Sequence, residues 1–136
     1  MKLRLLASTP AVETLIATAM LTTTSGATPS TLFHKLYANS GKVIDIVKRL
    51  EVQHGSIMEH NRLSWLLEAE ETEVLKVLLR NKFFTFTRLG SRSWLVSADL
   101  RTIIEYCVDG DEFGELLMDS LAIVAPTVKV NERWKD

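Results

Sequence analysis

The sequence predicts an α+β fold, in which about five helices pack on a small mixed or antiparallel sheet. Segments near residues 2–8, 62–69 and 83–96 have the β-rich or alternating composition of strands. The segments between and after them carry apolar residues at helical spacing, and "TTTSGATPS" and "NSG" separate them as turns. A chain of 136 residues suits one domain. We expect this domain to span residues 1–136, with a frayed tail at about 127–136.

The first half of the chain predicts one strand and three helices. "KLRLLAS" suits a buried strand, and "TPAVETLIATAM" follows it with Thr9 as the N-cap and Pro10 at the first helical position. Two shorter helices are predicted from apolar residues at helical spacing. These residues are Leu32, Phe33, Leu36 and Tyr37 in one helix, and Val43, Ile44, Ile46, Val47 and Leu50 in the other.

The second half predicts strands around an acidic helix. In the first strand, apolar residues alternate with polar ones, as expected when one face is covered, and they are Leu63, Trp65, Leu67 and Ala69. "EETEVLKVLLRN" then predicts a helix with an inner stripe of Val74, Leu75, Leu78 and Leu79. "FFTFTRL" and "SWLV" predict two more strands. Two acidic amphipathic helices follow, with apolar positions at Leu100, Ile103, Ile104 and Cys107, and then at Phe113, Leu116, Leu117, Leu121 and Val124.

The composition indicates a soluble cytoplasmic protein. Hydrophobic residues make up 46% of the chain and charged residues 24%, which is ordinary for a globular domain. The single cysteine, Cys107, excludes an internal disulfide framework and favours a reducing compartment. Lys2 and Arg4 precede an apolar segment that loosely resembles a secretory signal, but Pro10 and Glu13 interrupt it. No apolar run has the length that a membrane span requires, so we expect no membrane partner.

Charge is unevenly distributed along the chain. Four basic residues and no acidic residue lie between Arg80 and Ala98, whereas six acidic residues and no basic residue lie between Glu105 and Asp119. The basic segment could hold a phosphate group, or its charges could protect a strand edge from aggregation. Both interpretations fit the charges equally well. The net charge of −1 argues against a nucleic-acid surface spread over the whole domain.

Several motifs follow one another along the chain, and they are "LLASTP", "HGSIMEH", an apolar strand, a helix and "RNKFFTFTRLGSR". Their order and spacing resemble those of the flavin-dependent thymidylate synthase (ThyX) family. The second motif matches the family's His-x-Ser-x-x-Glu-His motif at His54, Ser56, Glu59 and His60. The resemblance covers roughly residues 3 to 125. It implies a ThyX-like fold, bound FAD, a deoxyuridine monophosphate substrate, a folate methylene donor, a nicotinamide reductant, and a homotetramer whose active sites are shared between chains.

The chain departs from the family at positions that the resemblance implies for ligand binding. Arg80 keeps the first residue of the family's Arg-His-Arg signature, but Asn81 and Lys82 replace the other two. Gly90 stands where the family has a serine, and Arg92 matches the arginine that follows. Glycine supplies no hydroxyl, and lysine offers a point charge where arginine offers a planar fork. We therefore expect thymidylate synthase activity to be lost or impaired.

The late helix shows the same pattern. Arg101 matches a family arginine, but Asp99 stands where the family has an asparagine, and Gly110 where it has another arginine. The resemblance thus implies two sets of binding residues and no assigned catalytic residue. The cofactor-binding set is Arg80, Asn81, Lys82, His60 and Arg101, and the set for substrate or phosphate is Arg92, Arg88, Gly90 and Ser91. We expect no metal site, because His54 and His60 have no cysteine or third histidine near them.

Several other residues have both a functional and a structural interpretation. Phe83, Phe84, Phe86 and Trp94 could supply aromatic faces to a ligand, but Phe84 and Phe86 are more typical of a core. Trp65 and Cys107 are also expected in the core. Glu59 is expected to orient a neighbour or cap a backbone group instead of acting as a catalytic base.

Two classes of function remain. We favour a nucleotide-binding ThyX relative that binds FAD or another phosphate-bearing nucleotide at a subunit interface, as a non-catalytic binder or sequestering protein in a homo-oligomer, with a tetramer expected. An active minimal synthase using FAD, folate and NADPH is the alternative within that class. The second class is a structural or interaction protein that retains only the fold. So short a chain would suit a compact genome, such as that of a virus.

Overall fold

A computed structural model describes residues 1–22, 24–50 and 55–130 of the chain. The described residues form four strands, which are β1 (Lys2–Ser8), β2 (Arg62–Glu68), β3 (Thr85–Arg88) and β4 (Ser93–Asp99). They also form seven helices, which are α1 (Val12–Thr22), α2 (Pro29–Tyr37), α3 (Ser40–Val47), α4 (Gly55–Met58), α5 (Glu71–Arg80), α6 (Leu100–Cys107) and α7 (Glu112–Val124). The predicted α+β class is confirmed, with more helices than the five expected.

The four strands form one antiparallel sheet in the order β1-β2-β4-β3. Trp65 in β2 lies opposite Leu5 of β1 on one side and opposite Val96 of β4 on the other. β3 pairs with β4 at the edge, with Phe86 also opposite Val96. Two successive antiparallel pairings make β2 and β3 run in the same direction with β4 between them. Helix α5 connects these two strands.

One face of the sheet carries the core. Leu63, Trp65 and Leu67 in β2 are all fully buried, which confirms the predicted alternation. The Trp65 indole Nε1–H donates to Ser120 Oγ of α7 at 2.9 Å, so this face lies against the helices. The intervening residues of the sheet are more exposed, and Leu95 of β4 is 37% accessible. A covered face and an open face are typical of antiparallel sheets.

Helix α1 begins at Val12, two residues after the predicted start at Pro10. The hydroxyl of Thr9, which was the predicted N-cap, accepts a hydrogen bond from Arg62 N at 2.9 Å. Thr9 is therefore used to join the end of β1 to the start of β2. Ala11, which directly precedes α1, has a φ of 51°, in the left-handed region that L-residues seldom adopt. The prediction of the helix was right and that of its cap was wrong, because a neighbouring strand competes for the hydroxyl.

The inner side of α5 also differs from the predicted stripe. Val74 and Val77 are buried, whereas Leu75 and Leu79 are exposed. Val74 is buried and Leu78 is partly buried against the core, as predicted, but Val77 takes the place of the exposed Leu75 and Leu79 on the inner side. A capping box between Glu70 and Glu73 fixes the start of the helix.

The chain after α7 packs on the domain as far as the structure describes it. The predicted frayed tail starts at residue 127, but Thr127 N and Oγ1 both donate to the Glu13 carboxylate, at 2.5 and 3.0 Å. Val128 is buried. The remainder of the predicted tail, residues 131–136, lies outside the described residues, as does His54. Within the described part of the chain, every helix is too short or too polar to cross a membrane.

Candidate functional site

The predicted binding residues fall into three places in the fold. Arg88, Gly90, Ser91 and Arg92 lie at the turn between β3 and β4, beside the first turn of α5. Arg80, Asn81 and Lys82 lie at the opposite end of α5. A helix of ten residues spans about 15 Å, so a single small ligand could not contact both ends. His60 and Arg101 lie near the start of β2 and the end of β4.

The arginines of the β3–β4 turn are paired with glutamates of α5. Arg92 forms an ion pair with Glu70, and Arg88 Nη1 lies 3.5 Å from Glu71 Oε2. The Arg88 guanidinium also lies 5.2 Å from the centre of the Trp94 ring and donates to Gly90 O at 3.2 Å. Ser91 is exposed in this turn. These contacts fasten the hairpin to the helix, and a phosphate group would have to compete with the glutamates.

Arg80 is held at the junction of α5, α6 and α7. Its Nη1 lies 2.5 Å from Asp111 Oδ2, and its Nη2 lies 3.5 Å from Asp109 Oδ2. The guanidinium carbon is 4.2 Å from the centre of the Tyr106 ring, a favourable cation–π distance. Tyr106 packs edge-to-face against Phe84 and Phe113. Arg80 therefore closes one side of an aromatic cluster and contributes to the fold.

Asn81 and Lys82 follow Arg80 in sequence, but neither lies in the aromatic cluster that holds Arg80. Asn81 ends α5, and its Oδ1 accepts a hydrogen bond from Phe83 N at 2.8 Å. The Lys82 ammonium lies 5.5 Å from the centre of the Phe83 ring. Among the described residues, no carboxylate lies within ion-pair distance of Lys82. Lys82 thus differs from the four arginines of the predicted site, each of which has an acidic partner.

Arg101 borders a cavity of about 180 Å³. Its Nη1 lies 2.7 Å from Glu59 Oε1, and its Nε lies 3.0 Å from Glu105 Oε1. Gly55 permits this arrangement, because a Cβ atom there would lie 3.1 Å from the guanidinium carbon of Arg101. The lining residues come from α6, its N-cap, the segment after α4 and the segment before β3, and they are Glu59, Phe83, Asp99, Arg101, Thr102 and Glu105. We refer to this cavity as the Arg101 cavity.

The Arg101 cavity combines a planar cation, an aromatic ring and acceptors. Phe83 is 62% exposed, so much of its ring is available to a ligand. Asp99 is the N-cap of α6 and accepts from Thr102 N at 2.8 Å, which leaves its other oxygen available as an acceptor. Glu59 orients Arg101 as a neighbour, which confirms the role predicted for it. His60, the residue after Glu59, is exposed.

The pKa shifts of the described groups have identifiable causes. The hydrogen bond that Arg101 donates to Glu59, reinforced by the one to Glu105, raises the pKa of Arg101 and keeps this guanidinium charged. Burial, with Asp111 as a second cause, raises the pKa of Tyr106 and that of Cys107, the latter to about 12. A thiol with such a pKa is a poor nucleophile at neutral pH. Cys107 is buried and packs as predicted.

Two features near Arg101 were not predicted from the sequence. Glu105 pairs with Arg101 at i and i+4 on α6, a spacing from which the pair could have been predicted. Asn61 is fully buried, and neither its Oδ1 nor its Nδ2 has a hydrogen-bond partner among the described residues. Nothing in the local sequence signals that burial. A larger cavity of about 350 Å³ lies between α3 and residues 126–129, but it contains none of the predicted site residues.

The described residues contain no group of three side chains that could hold a metal ion. Comparison of the sequence with protein-family models and with curated proteins gives no match.

Proposed function

We propose that this chain is a ThyX-like nucleotide-binding protein that receives the base of a nucleotide in the Arg101 cavity. The observation that carries the proposal is the Arg101 guanidinium, fixed between Glu59 and Glu105 beside the exposed ring of Phe83. FAD is the first candidate ligand, because the ThyX resemblance implies it. Any other nucleotide with a planar base would satisfy the same chemistry.

The polar groups around the cavity suit a base better than a phosphate. A nucleobase presents N–H donors and carbonyl acceptors along its edges, and carboxylates and an arginine complement both. The ring of Phe83 offers a stacking surface to a planar base. A phosphate inside the cavity would instead meet the carboxylates of Glu59, Asp99 and Glu105. Like charges at such distances repel, so the phosphate belongs outside the cavity.

Lys82 is the candidate for the phosphate contact. It adjoins Phe83 in sequence, and its ammonium lies 5.5 Å from the Phe83 ring centre. The four arginines of the predicted site are engaged with carboxylates of the same chain. A phosphate would have to displace one of those partners, whereas Lys82 is available without such a cost. The predicted phosphate set at the β3–β4 turn is accordingly the weaker candidate.

The size of the cavity bears on which part of the ligand it holds. Sites for drug-sized ligands usually measure about 300–1,000 Å³, so about 180 Å³ suits a single ring system. The rest of a dinucleotide such as FAD would extend over the surface, and a second chain could cover it. We propose a homo-oligomer for this reason and from the family resemblance, with a tetramer as the first expectation.

We also propose that thymidylate synthase activity is lost or impaired. Asn81 stands where the family has a histidine, and its side-chain oxygen is used by Phe83 N. Gly90 supplies no hydroxyl at the β3–β4 turn. Expression of the protein should therefore fail to restore growth to cells that lack thymidylate synthase. Restored growth would show that the minimal site is catalytically competent.

The binding proposal is tested with a nucleotide panel. Flavin absorbance of the purified protein and shifts in its melting temperature with FAD, FMN, dUMP, ATP and GTP report binding, because a ligand selective for the native state stabilises it. Arg101→Ala should weaken binding about tenfold or more, and Lys82→Ala should weaken it for nucleotides but not for the free base. Arg49→Ala is the matched control, since Arg49 is exposed and does not line the Arg101 cavity.

Two results would contradict the proposal. One is the absence of bound flavin together with no thermal shift across the panel. The other is a nucleotide that binds Arg101→Ala and the native protein equally well. A ligand that loses affinity on Arg92→Ala but not on Arg101→Ala would move the site to the β3–β4 turn.

A further inference from the structure

Arg62 lies on the open face of the sheet, at the end that adjoins the Arg101 cavity. Leu63 and Trp65 are buried in the core, so Arg62, which precedes them in β2, is on the opposite face and is exposed. Its partner in the sheet register is Asp99, which lines the cavity. The Cα atoms of such partners are about 5 Å apart. Arg62 is therefore a neighbour of the cavity, although it is not among the lining residues.

Two hydroxyl groups hold the Arg62 guanidinium against the sheet. Its Nη2 donates to Thr85 Oγ1 of β3 at 3.3 Å and to Ser97 Oγ of β4 at 3.4 Å. Each hydroxyl accepts from Arg62 and retains its own O–H proton for another acceptor. Thr85 is two residues after Phe83, a length of chain that spans at most about 7 Å. We call Arg62, Thr85 and Ser97 the Arg62 subsite, and it lies beside the aromatic ring of the cavity.

Arg62 differs from the four arginines of the predicted site in its partners. Among the described residues, no carboxylate lies within ion-pair distance of Arg62, and its Nε and Nη1 have no hydrogen-bond partner. Asp99, opposite Arg62 in the sheet, caps α6 and does not pair with it. The subsite thus combines a fixed planar cation with N–H and O–H donors that the fold does not use. Such donors suit a phosphate group, which offers three acceptor oxygens where a carboxylate offers two.

We propose that the Arg62 subsite binds a phosphate group, and that the nucleotide held in the Arg101 cavity carries at least two phosphates. This inference rests on the proposed function, which assigns a first phosphate to Lys82. The Lys82 ammonium lies 5.5 Å from the centre of the Phe83 ring, and the Arg62 guanidinium contacts Thr85, just after Phe83 in the chain. Two separate cations near one ring match a nucleoside diphosphate or a dinucleotide such as FAD. A nucleoside monophosphate engages only one of them.

The test compares ligands that differ in their number of phosphates. Adenosine, AMP and ADP form one series, and riboflavin, FMN and FAD form a second series for the flavin. Titration calorimetry measures the Kd of each ligand. The native protein should bind the member with two phosphates about tenfold more tightly than the member with one. Arg62→Ala should abolish this gain and leave the affinity for the monophosphate unchanged.

Arg4→Ala is the matched control. Arg4 is exposed on the same face of the sheet, opposite Leu66, and has no carboxylate within ion-pair distance among the described residues. Leu66 is four residues after Arg62 in β2, so the two arginines are about 13 Å apart along the strands. Removing Arg4 takes away the same charge but should preserve the gain from the second phosphate. Circular dichroism checks that both variants are folded.

Two results would overturn the proposal. One is an Arg62→Ala protein that prefers the ligand with two phosphates as strongly as the native protein does. The other is an equal loss of that preference in Arg4→Ala, which would show that any positive charge on this face acts in the same way.

Inorganic pyrophosphate separates this inference from the proposed function. If pyrophosphate binds the native protein but not Arg62→Ala, and no nucleotide binds, the Arg62 subsite stands and the proposed function fails. If nucleotides bind and lose affinity on Arg101→Ala, but the second phosphate adds nothing, the proposed function stands and the Arg62 subsite fails.

Discussion

Arg80 and Arg101 have the same kind of partners and different positions in the fold. Each guanidinium contacts two carboxylates, which are Asp109 and Asp111 for Arg80 and Glu59 and Glu105 for Arg101. The family resemblance implies ligand binding for both arginines. The structure places Arg80 against an aromatic cluster and Arg101 beside a cavity.

The two arginines differ in the other contacts that their carboxylate partners make. Asp111 also accepts from the Tyr106 hydroxyl at 2.5 Å and from Gly114 N at 2.7 Å, where it caps α7. Glu59 and Glu105 are about half exposed, and Arg101 is their partner. The pairing of an arginine therefore does not decide its role. Asp111 ties Arg80 to the cap of α7, whereas the proposed function is what assigns Arg101 to a ligand.

The largest effect is expected for Asp111→Ala. This change removes the cap of α7 and leaves Arg80 and the Tyr106 hydroxyl without their shared acceptor, so the free energy of unfolding should fall by about 2–4 kcal/mol. Urea denaturation followed by tryptophan fluorescence measures the change. Asp109→Ala is the control, because Asp109 is 72% exposed and its ion pair with Arg80 is long, at 3.5 Å, so the change should have an effect of less than about 0.5 kcal/mol. Equal effects would show that the cap contributes nothing.

The second prediction compares the two arginines directly. Arg80→Ala should lower the free energy of unfolding by about 1–2 kcal/mol, since it removes a cation–π contact and bonds at the α6–α7 junction. Arg101→Ala should lower it by less than about 0.5 kcal/mol, because its ion pairs are exposed. The same denaturation experiment serves both variants. The comparison fails if Arg101→Ala is the more destabilising change.

The third prediction concerns alkaline pH, which should lower the stability of the region around Arg80 and leave the ion pairs of Arg101 unchanged. The pKa of Cys107 is raised from 9.0 to about 12 in the folded protein, and that of Tyr106 is also raised. The native state therefore keeps protons that the unfolded chain loses above about pH 9. Stability should be unaffected below that pH and should fall as pH rises towards 12, by about 1.4 kcal/mol per pH unit for Cys107.

Cys107→Ala supplies the control for this pH dependence. The variant should lose the contribution of the thiol and show a smaller slope above pH 9 in urea denaturation. An identical slope in both proteins would assign the alkaline transition to Tyr106 or to another group. Arg101 stays charged throughout this range, since its hydrogen bonds to Glu59 and Glu105 raise its pKa.

The smallest effect on stability is expected for Asn61→Leu. Asn61 lies near Arg101, since its carbonyl accepts from Leu100 N at the start of α6. A buried amide without hydrogen-bond partners costs about 1–3 kcal/mol, so an apolar side chain of similar shape should raise the free energy of unfolding by about 1 kcal/mol. Asn61→Asp, which would bury a charge, should be strongly destabilising by comparison. A loss of stability in Asn61→Leu would show that the amide has a partner in solution.

Much of the local structure could be predicted from the sequence. The alternation of Leu63, Trp65 and Leu67 predicts a strand with one covered face, and these residues are fully buried. The apolar spacing of α6 and α7 predicts their buried sides, since Ile103, Ile104, Phe113, Leu117 and Leu121 all lie in the core. These patterns depend on contacts that a single strand or helix makes with any core, so the sequence of that element is sufficient.

The position of the site could be predicted only in part. Arg101 and Phe83 were both named from the sequence, but their cavity also needs Glu59, which is 42 residues from Arg101 along the chain. The β3–β4 turn and the end of α5 both belong to the basic segment that was expected to hold a phosphate group. Their separation by the length of α5 follows from how Arg92 and Glu70 meet, which no local pattern contains.

By itself, the sequence determined the α+β class, the alternating central strand and the apolar sides of most helices, because period and composition act over neighbouring residues. Only the tertiary structure decided that the sheet is antiparallel in the order β1-β2-β4-β3, that α5 faces the core with its valines, and that Arg80 lies against an aromatic cluster while Arg101 lies beside a cavity. Those features depend on which distant side chains meet, and strand pairing and charge pairing are settled by the packing of the whole domain.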